Sequence, residues 1–162
     1  MPIKYKEARI QKIIFEQYAK RALVVPNIYF RNYRYEADVI VFMKSGLTYE
    51  FEIKCSRADF RNEFKKRSKV RKHKYTGLKN LSHMRPNYYY FVSPENIIRP
   101  EELLIDDYGL IHITDGFYMK EIKKAKKLHD HRVSPDEYYG LARKMMYKLF
   151  NHSDRWKIRN PL

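Results

Sequence analysis

The chain has 162 residues, with 34 Lys and Arg against 19 Asp and Glu, a formal net charge of +15, one cysteine and 15% aromatic residues. That length fits one domain able to bury roughly two thirds of its unfolded surface. The single Cys55 excludes an intramolecular disulfide and suits a reducing compartment. No segment reaches the roughly 20 apolar residues of a membrane span, and the N-terminal stretch holds no apolar core of signal-peptide type. The expectation is a soluble intracellular protein of cytoplasmic location, a nucleoid-associated or viral one included, with no membrane partner and a polyanion to balance its charge.

A first helix is expected over residues 5–22. At about 100° per residue, Ile10, Ile13, Ile14 and Tyr18 form one stripe, with Glu7 inside it and Glu16 nearly opposite. A carboxylate on the buried side of a helix needs a partner. The plainer reading of Glu7 is a first-turn acid favoured by the helix dipole. Strands are expected near 27–34, 36–43 and 47–54. Tyr29, Phe30, Tyr33 and Tyr35 fall in the first of these or just after it and read as strand packing ahead of base stacking.

Between Ala37 and Lys54 lie two alternating strands around a Ser-Gly turn. Thr48, Glu50, Glu52 and Lys54 share one face of the second strand, and Leu47, Tyr49, Phe51 and Ile53 the other. With Lys44, Ser45 and Gly46 as a three-residue loop and Gly46 in the left-handed position, Asp38 stands opposite Glu52. Opposed Cβ atoms are roughly 4.5–5.5 Å apart, so the two carboxylates reach a common point. They must share a proton or a cation there, and an all-oxygen pair suits a hard ion such as Mg²⁺ or Mn²⁺. Lys54 projects from the same face. A metal with an ammonium beside it suits phosphodiester hydrolysis, the metal polarising a phosphoryl oxygen and activating water while the lysine orients that water or stabilises charge. The tripeptide Glu-x-Lys alone carries little weight. Glu63-Phe64-Lys65 and Glu121-Ile122-Lys123 repeat it with no aspartate across a hairpin.

The run from Glu36 through Asp38 to Val41, followed by Phe51-Glu52-Ile53-Lys54-Cys55-Ser56-Arg57-Ala58-Asp59-Phe60, resembles the PD-(D/E)XK nuclease superfamily. Arg57-Ala58-Asp59-Phe60, the later Tyr88-Tyr89-Tyr90-Phe91-Val92 strand and the Gly109-Leu110-Ile111 segment are similar to its MmcB-type DNA repair branch, close to the Holliday junction resolvase-like proteins. The likeness covers residues 5 to about 120. It implies a restriction-endonuclease-like α/β domain with an αβββαβ core and a central mixed sheet flanked by helices. It also implies Mg²⁺- or Mn²⁺-dependent hydrolysis of DNA in repair, recombination or replication. Asp38 and Glu52 match the metal ligands, Lys54 the catalytic lysine, and Glu7 a first-helix glutamate that often completes the site. The chain departs from the pattern at Ala37, where the motif has proline.

A helical stretch is expected through 58–81, and it carries Lys65, Lys66, Arg67, Lys69, Arg71, Lys72 and Lys74. Such a helix repels itself unless a polyanion is near, and neutralising phosphates releases counterions. DNA is the expected partner, with RNA open. A solvated basic face, or one resting on an anionic membrane surface, is the bland alternative. Tyr88 to Val92, between Pro86-Asn87 and Ser93-Pro94, reads as a buried strand over 87–93. Residues 94–108 read as loop plus short helix, 109–114 as a strand, and Phe117 to Glu121 as its extension. His129-Asp130-His131 lacks further spaced metal ligands. Ser134-Pro135-Asp136-Glu137 is a capping box opening a final helix, whose apolar Leu141, Ala142, Met145, Met146 and Leu149 suit a core or homodimer contact. Residues 1–128 are expected to form the nuclease-like domain, with 129–162 as a C-terminal helix and basic tail packed on it. Two rival classes stand beside the nuclease: a non-cleaving nucleic-acid-binding accessory of the same fold, and a basic structural RNA-binding protein.

Overall fold

The computed structural model describes residues 6–30, 35–65 and 85–159, with side chains for 6–30, 35–63 and 85–151. The chain divides into two compact units, Met1–Arg132 and Val133–Leu162. The first unit contains helix α1 (Glu7–Tyr18), strands β1 (Ala22–Ile28), β2 (Ala37–Met43) and β3 (Thr48–Ile53), and helix α2 (Arg57–Lys65). Strand β4 (Tyr88–Pro94), a 3₁₀ turn (Pro100–Glu102), β5 (Gly109–Ile113) and β6 (Met119–Lys123) complete it. The second unit holds helix α3 (Pro135–Arg159).

Six strands form one mixed sheet in the order β1-β2-β3-β4-β5-β6. The first three are joined antiparallel, β4 and β5 continue parallel to β3, and β6 turns back antiparallel. The chain is thus α/β, as expected, with helices flanking a mixed sheet. The carboxyl ends of β3, β4 and β5 therefore meet at one end of the sheet, where β2 begins and β1 ends.

The β2–β3 hairpin has the expected register. Val39 faces Phe51, Ile40 Glu50, Val41 Tyr49 and Phe42 Thr48. Gly46 is left-handed at φ 82°, and the Gly46 N–H bonds the Met43 carbonyl at 2.9 Å to close the turn. The local chemistry of the turn sets this pairing, so it was readable without any long-range information.

Two apolar layers cover the sheet. Ile10, Ile13 and Ile14 of α1 pack on Val39, Val41, Phe51, Ile53, Val92 and Ile111. On the other face Phe60 of α2 meets Tyr89, Phe91, Ile98, Tyr108 and Leu110. Both faces are thereby buried, and the polar row of β3 lies inside the protein: Thr48, Glu50, Glu52 and Lys54 are all buried.

Several boundaries differ from expectation. Helix α1 ends at Tyr18, well before 22, and the first strand is Ala22–Ile28 in place of 27–34. The apolar run Ala22 to Val25 suits either a helix continuation or a strand, and pairing with Met43 to Ile40 of β2 decides for strand. Pro26 is accommodated because β1 is an edge strand. Phe117 to Glu121 is not an extension of β5; Met119–Lys123 forms a separate antiparallel strand. Helix α2 is described only to Lys65, so the remaining expected helix, with Lys66, Arg67, Lys69, Arg71, Lys72 and Lys74, lies outside the described residues, as does Tyr33.

The segment 128–131 belongs to the first unit, and Asn87 holds it there. Its buried amide donates to the carbonyls of His129 and His131, both at 2.9 Å, and its backbone carbonyl accepts from the Leu128 N–H. The same side chain accepts from the Thr48 N–H at 2.8 Å. This segment is therefore tied to the sheet, and the His129 ring is engaged with the Arg85 carbonyl at 2.7 Å. In the second unit the capping box forms as expected: the Glu137 N–H bonds Ser134 Oγ and the Ser134 N–H bonds Glu137 Oε2. Of its apolar row, Leu141 is buried and Met145 half-buried, while Ala142, Met146 and Leu149 are exposed.

Candidate functional site

Strand β3 delivers Glu52 and then, one residue past its end, Lys54, whose N–H is fixed to the Val92 carbonyl of β4 at 2.9 Å. Alternation places both side chains on the α2 side of the sheet. Helix α2 starts immediately after, with Ser56 as its cap: Ser56 Oγ accepts the Asp59 N–H at 3.1 Å. That start sets the phase of the helix, so Phe60 and Glu63, three residues apart, both face the sheet and are buried.

The result is a buried ionic trio. Lys54 Nζ donates to Glu52 Oε1 at 2.8 Å and to Glu63 Oε2 at 2.8 Å, with Lys54 and Glu52 each 5% and Glu63 2% exposed. The Tyr89 hydroxyl donates to Glu52 Oε2 at 3.4 Å. Burial alone would push the lysine pKa down. The carboxylates of Glu52 and Glu63 more than offset it, and the net shift is upward, which favours the ammonium form of Lys54. Beside the trio, fully buried Glu50 accepts from the Tyr35 hydroxyl at 3.0 Å.

Asp38 stands at the start of β2 on the same face of the sheet. The β2–β3 ladder ends at Val39 and Phe51, one pair short of Asp38 and Glu52. There the Asp38 side chain takes over as acceptor, its Oδ2 receiving the Ile53 N–H at 2.7 Å. The direct opposition expected for Asp38 and Glu52 is thus the continuation of the register, with Asp38 turned toward the β3 backbone.

Glu7 differs from its expected setting. It is exposed, because the first turn of α1 reaches beyond the sheet end, and its partner is Gln11 Nε2 at 3.2 Å. Gln11 also donates to the Asp38 carbonyl at 3.1 Å, which ties the start of α1 to the start of β2. The Cys55 thiol pKa is pushed up to about 11, first by burial and then by the carboxylates of Glu7, Asp59 and Asp38. Glu7 and the Asp38 carbonyl both meet the Gln11 amide. Cys55 itself packs on the α1 side, opposite Lys54, as alternation requires.

Among the described residues no group of three or more His, Cys, Asp and Glu is arranged around a common ion. Mg²⁺ does not require one, since it commonly keeps several waters and takes one or two carboxylates. Asp38 and Glu52 are oxygen donors on one face at one end of the sheet, the donor type a hard cation takes, with Asp38 Oδ2 accepting from the Ile53 N–H and both Glu52 oxygens accepting from Lys54 and Tyr89.

Glu63 is the residue that sequence reasoning missed. It sits in one of the repeated Glu-x-Lys tripeptides that serve as controls, and which face of α2 meets the sheet depends on packing between distant segments. The Ser56 cap three residues before Asp59 was the available signal. Tyr89 and Tyr90 are core residues of β4 as expected, but Tyr29 and Phe30 follow the end of β1 and Tyr35 precedes β2, with Tyr29 exposed and Phe30 buried, so strand packing does not hold for that group. Of the basic run, only Lys65 has a described backbone.

No protein-family model and no curated protein matches this chain. Among solved structures, the chain is similar to a protein of unknown function from Silicibacter pomeroyi. The two share 19% identity over 99% of this chain and 94% of that one, with a TM-score of 0.55. That likeness extends to the fold alone.

Proposed function

We propose that this chain is a divalent-metal-dependent nuclease that hydrolyses DNA phosphodiester bonds, in the service of repair, recombination or replication. The observation that carries the proposal is the convergence of Asp38, Glu52 and Lys54 at the carboxyl end of β3. Ligands of open α/β sheets bind at this place. It is supported by the likeness of the same residues to the PD-(D/E)XK motif, on an αβββαβ core. In this reading Asp38 and Glu52 hold Mg²⁺ or Mn²⁺, which supplies Lewis-acid polarisation and an activated water when bound. Lys54, held by Glu63, presents a fixed positive charge to the developing negative charge of the phosphoryl group. Glu7, in the first turn of α1, would complete the site. The basic run from Lys65 to Lys74 follows the DNA backbone.

The proposal is tested without turnover by titrating Mn²⁺ into the protein and following binding by calorimetry. One site is expected in the wild type, lost in Asp38→Asn. Binding that persists in Asp38→Asn, or no binding in the wild type, overturns the assignment.

A second reading has an observation of its own. Glu52 is already engaged at both oxygens, by Lys54 and Tyr89, as expected where the trio only holds α2 to the sheet. On that reading the protein is a non-cleaving nucleic-acid-binding accessory with the same fold, and the titration gives no site.

A further inference from the structure

The turn between β5 and β6 breaks a local rule. Phe117 is left-handed, with φ 62°, while its neighbour Gly116 is not. A bulky side chain is an outlier in this region, and the glycine that would fit without strain stands one position away. The turn is otherwise well made: the Thr114 N–H bonds the Tyr118 carbonyl at 3.0 Å and the Phe117 N–H bonds the Thr114 carbonyl at 2.8 Å. The Tyr118 ring lies over Gly116, where a Cβ would meet it at 2.8 Å. The outcome is two adjacent aromatic rings turned outward, Phe117 38% and Tyr118 74% exposed. The Arg9 guanidinium lies 4.5 Å from the centroid of the Phe117 ring.

Their position gives this a use. The turn follows the carboxyl end of β5, which is parallel to β4 and β3, so it rises from the sheet end that carries Lys54 and Asp38. Arg9 is two residues from Glu7, at the same end. Strained backbone is retained where it presents a group that function needs. Exposed aromatic rings beside a guanidinium, on a chain of net charge +15, match the chemistry of a nucleobase attached to a polyanionic backbone.

We infer that Phe117, Tyr118 and Arg9 form a stacking platform for an unpaired base of the nucleic acid, adjoining the proposed site. This rests on the nuclease reading. It deepens that reading by naming the substrate class: DNA with at least one unstacked nucleotide near the cleaved bond, a single strand, a flap or a frayed end in preference to unbroken duplex.

The test uses the full chain in EDTA with a single-stranded oligodeoxynucleotide carrying 5-iodouracil. Photocrosslinks are expected at Phe117 or Tyr118. Tyr118→Ala should weaken binding about tenfold with an unchanged salt slope, because stacking releases no counterions. Phe117→Gly separates fold from function. Glycine relieves the left-handed strain, so the variant should melt at or above the wild-type temperature while binding about tenfold more weakly. Crosslinks confined to other residues, or wild-type affinity in both variants, overturns the platform. If such variants also keep metal-dependent cleavage, the platform fails alone. A wild type that neither binds nor cleaves removes the nuclease reading and the platform with it.

Discussion

An ammonium sealed from water beside one carboxylate would be a poor bargain, and Lys54 has two, in Glu52 and Glu63. Removing one partner of such a buried group leaves uncompensated charge, which costs about 3–5 kcal/mol. Lys54→Met should therefore lower the unfolding free energy by about that amount, read from denaturant midpoints, and the triple variant Lys54→Met, Glu52→Gln, Glu63→Gln should recover most of it. The pH dependence has a definite sign. The folded-state pKa of Lys54 is raised above its ordinary 10.5. Its contribution to stability is thus fully present below pH 10.5 and is lost as pH rises through the folded value. Cys55 offers a second residue-scale check. With its pKa near 11 in place of the ordinary 9.0, alkylation at pH 8 should run one to two orders of magnitude more slowly than for a free cysteine, roughly in proportion to thiolate. It should keep rising to about pH 11; a plateau near pH 9 would show that neither burial nor the carboxylates of Glu7, Asp59 and Asp38 raise the thiol.

At the scale of elements, the fold depends on short connectors that pin long ones. Asn87, 0% exposed, joins β3 to the segment 128–131 through four partners. Asn87→Ala strands buried polar groups on both sides and should destabilise the first unit by about 3 kcal/mol, seen as a lower denaturant midpoint. Ser134→Ala removes one half of a capping box and should cost about 1 kcal/mol of helix stability, seen as reduced helical signal on mild heating. These elements also show what was legible in the chain. Hairpin β2–β3 was, because Ser45-Gly46 fixes the register by turn geometry. The start of α3 was, because Ser134 and Glu137 cap it locally. The start of β1 was not: Ala22 to Val25 suits either structure until β2 pairs with it. Glu63 was not, because only the docking of α2 decides which of its residues turn inward. Glu7 was legible in angle and misjudged in burial, since the sheet ends before the first turn of α1 begins.

For the whole molecule, the six-stranded mixed sheet carries its polar constellation at one end, and among the described residues no helix is long and apolar enough to cross a membrane. A net charge of +15 adds a long-range attraction for a polyanion. Changing Lys69, Arg71 and Lys72 to Ala should flatten the log-log salt dependence of DNA binding by about 0.9 per lost phosphate contact. An unchanged slope would take that run out of the interface. The central claim is metal-dependent cleavage through Asp38. The direct measurement is cleavage of labelled duplex, single-stranded, flap and four-way-junction DNA, with single-stranded RNA alongside. Each is run in Mg²⁺, Mn²⁺ or EDTA with the wild type and Asp38→Asn. The account predicts cleavage of at least one DNA form that needs the metal and disappears in Asp38→Asn while binding persists. Cleavage undiminished in Asp38→Asn, or tight binding with no cleavage in any lane, would contradict it.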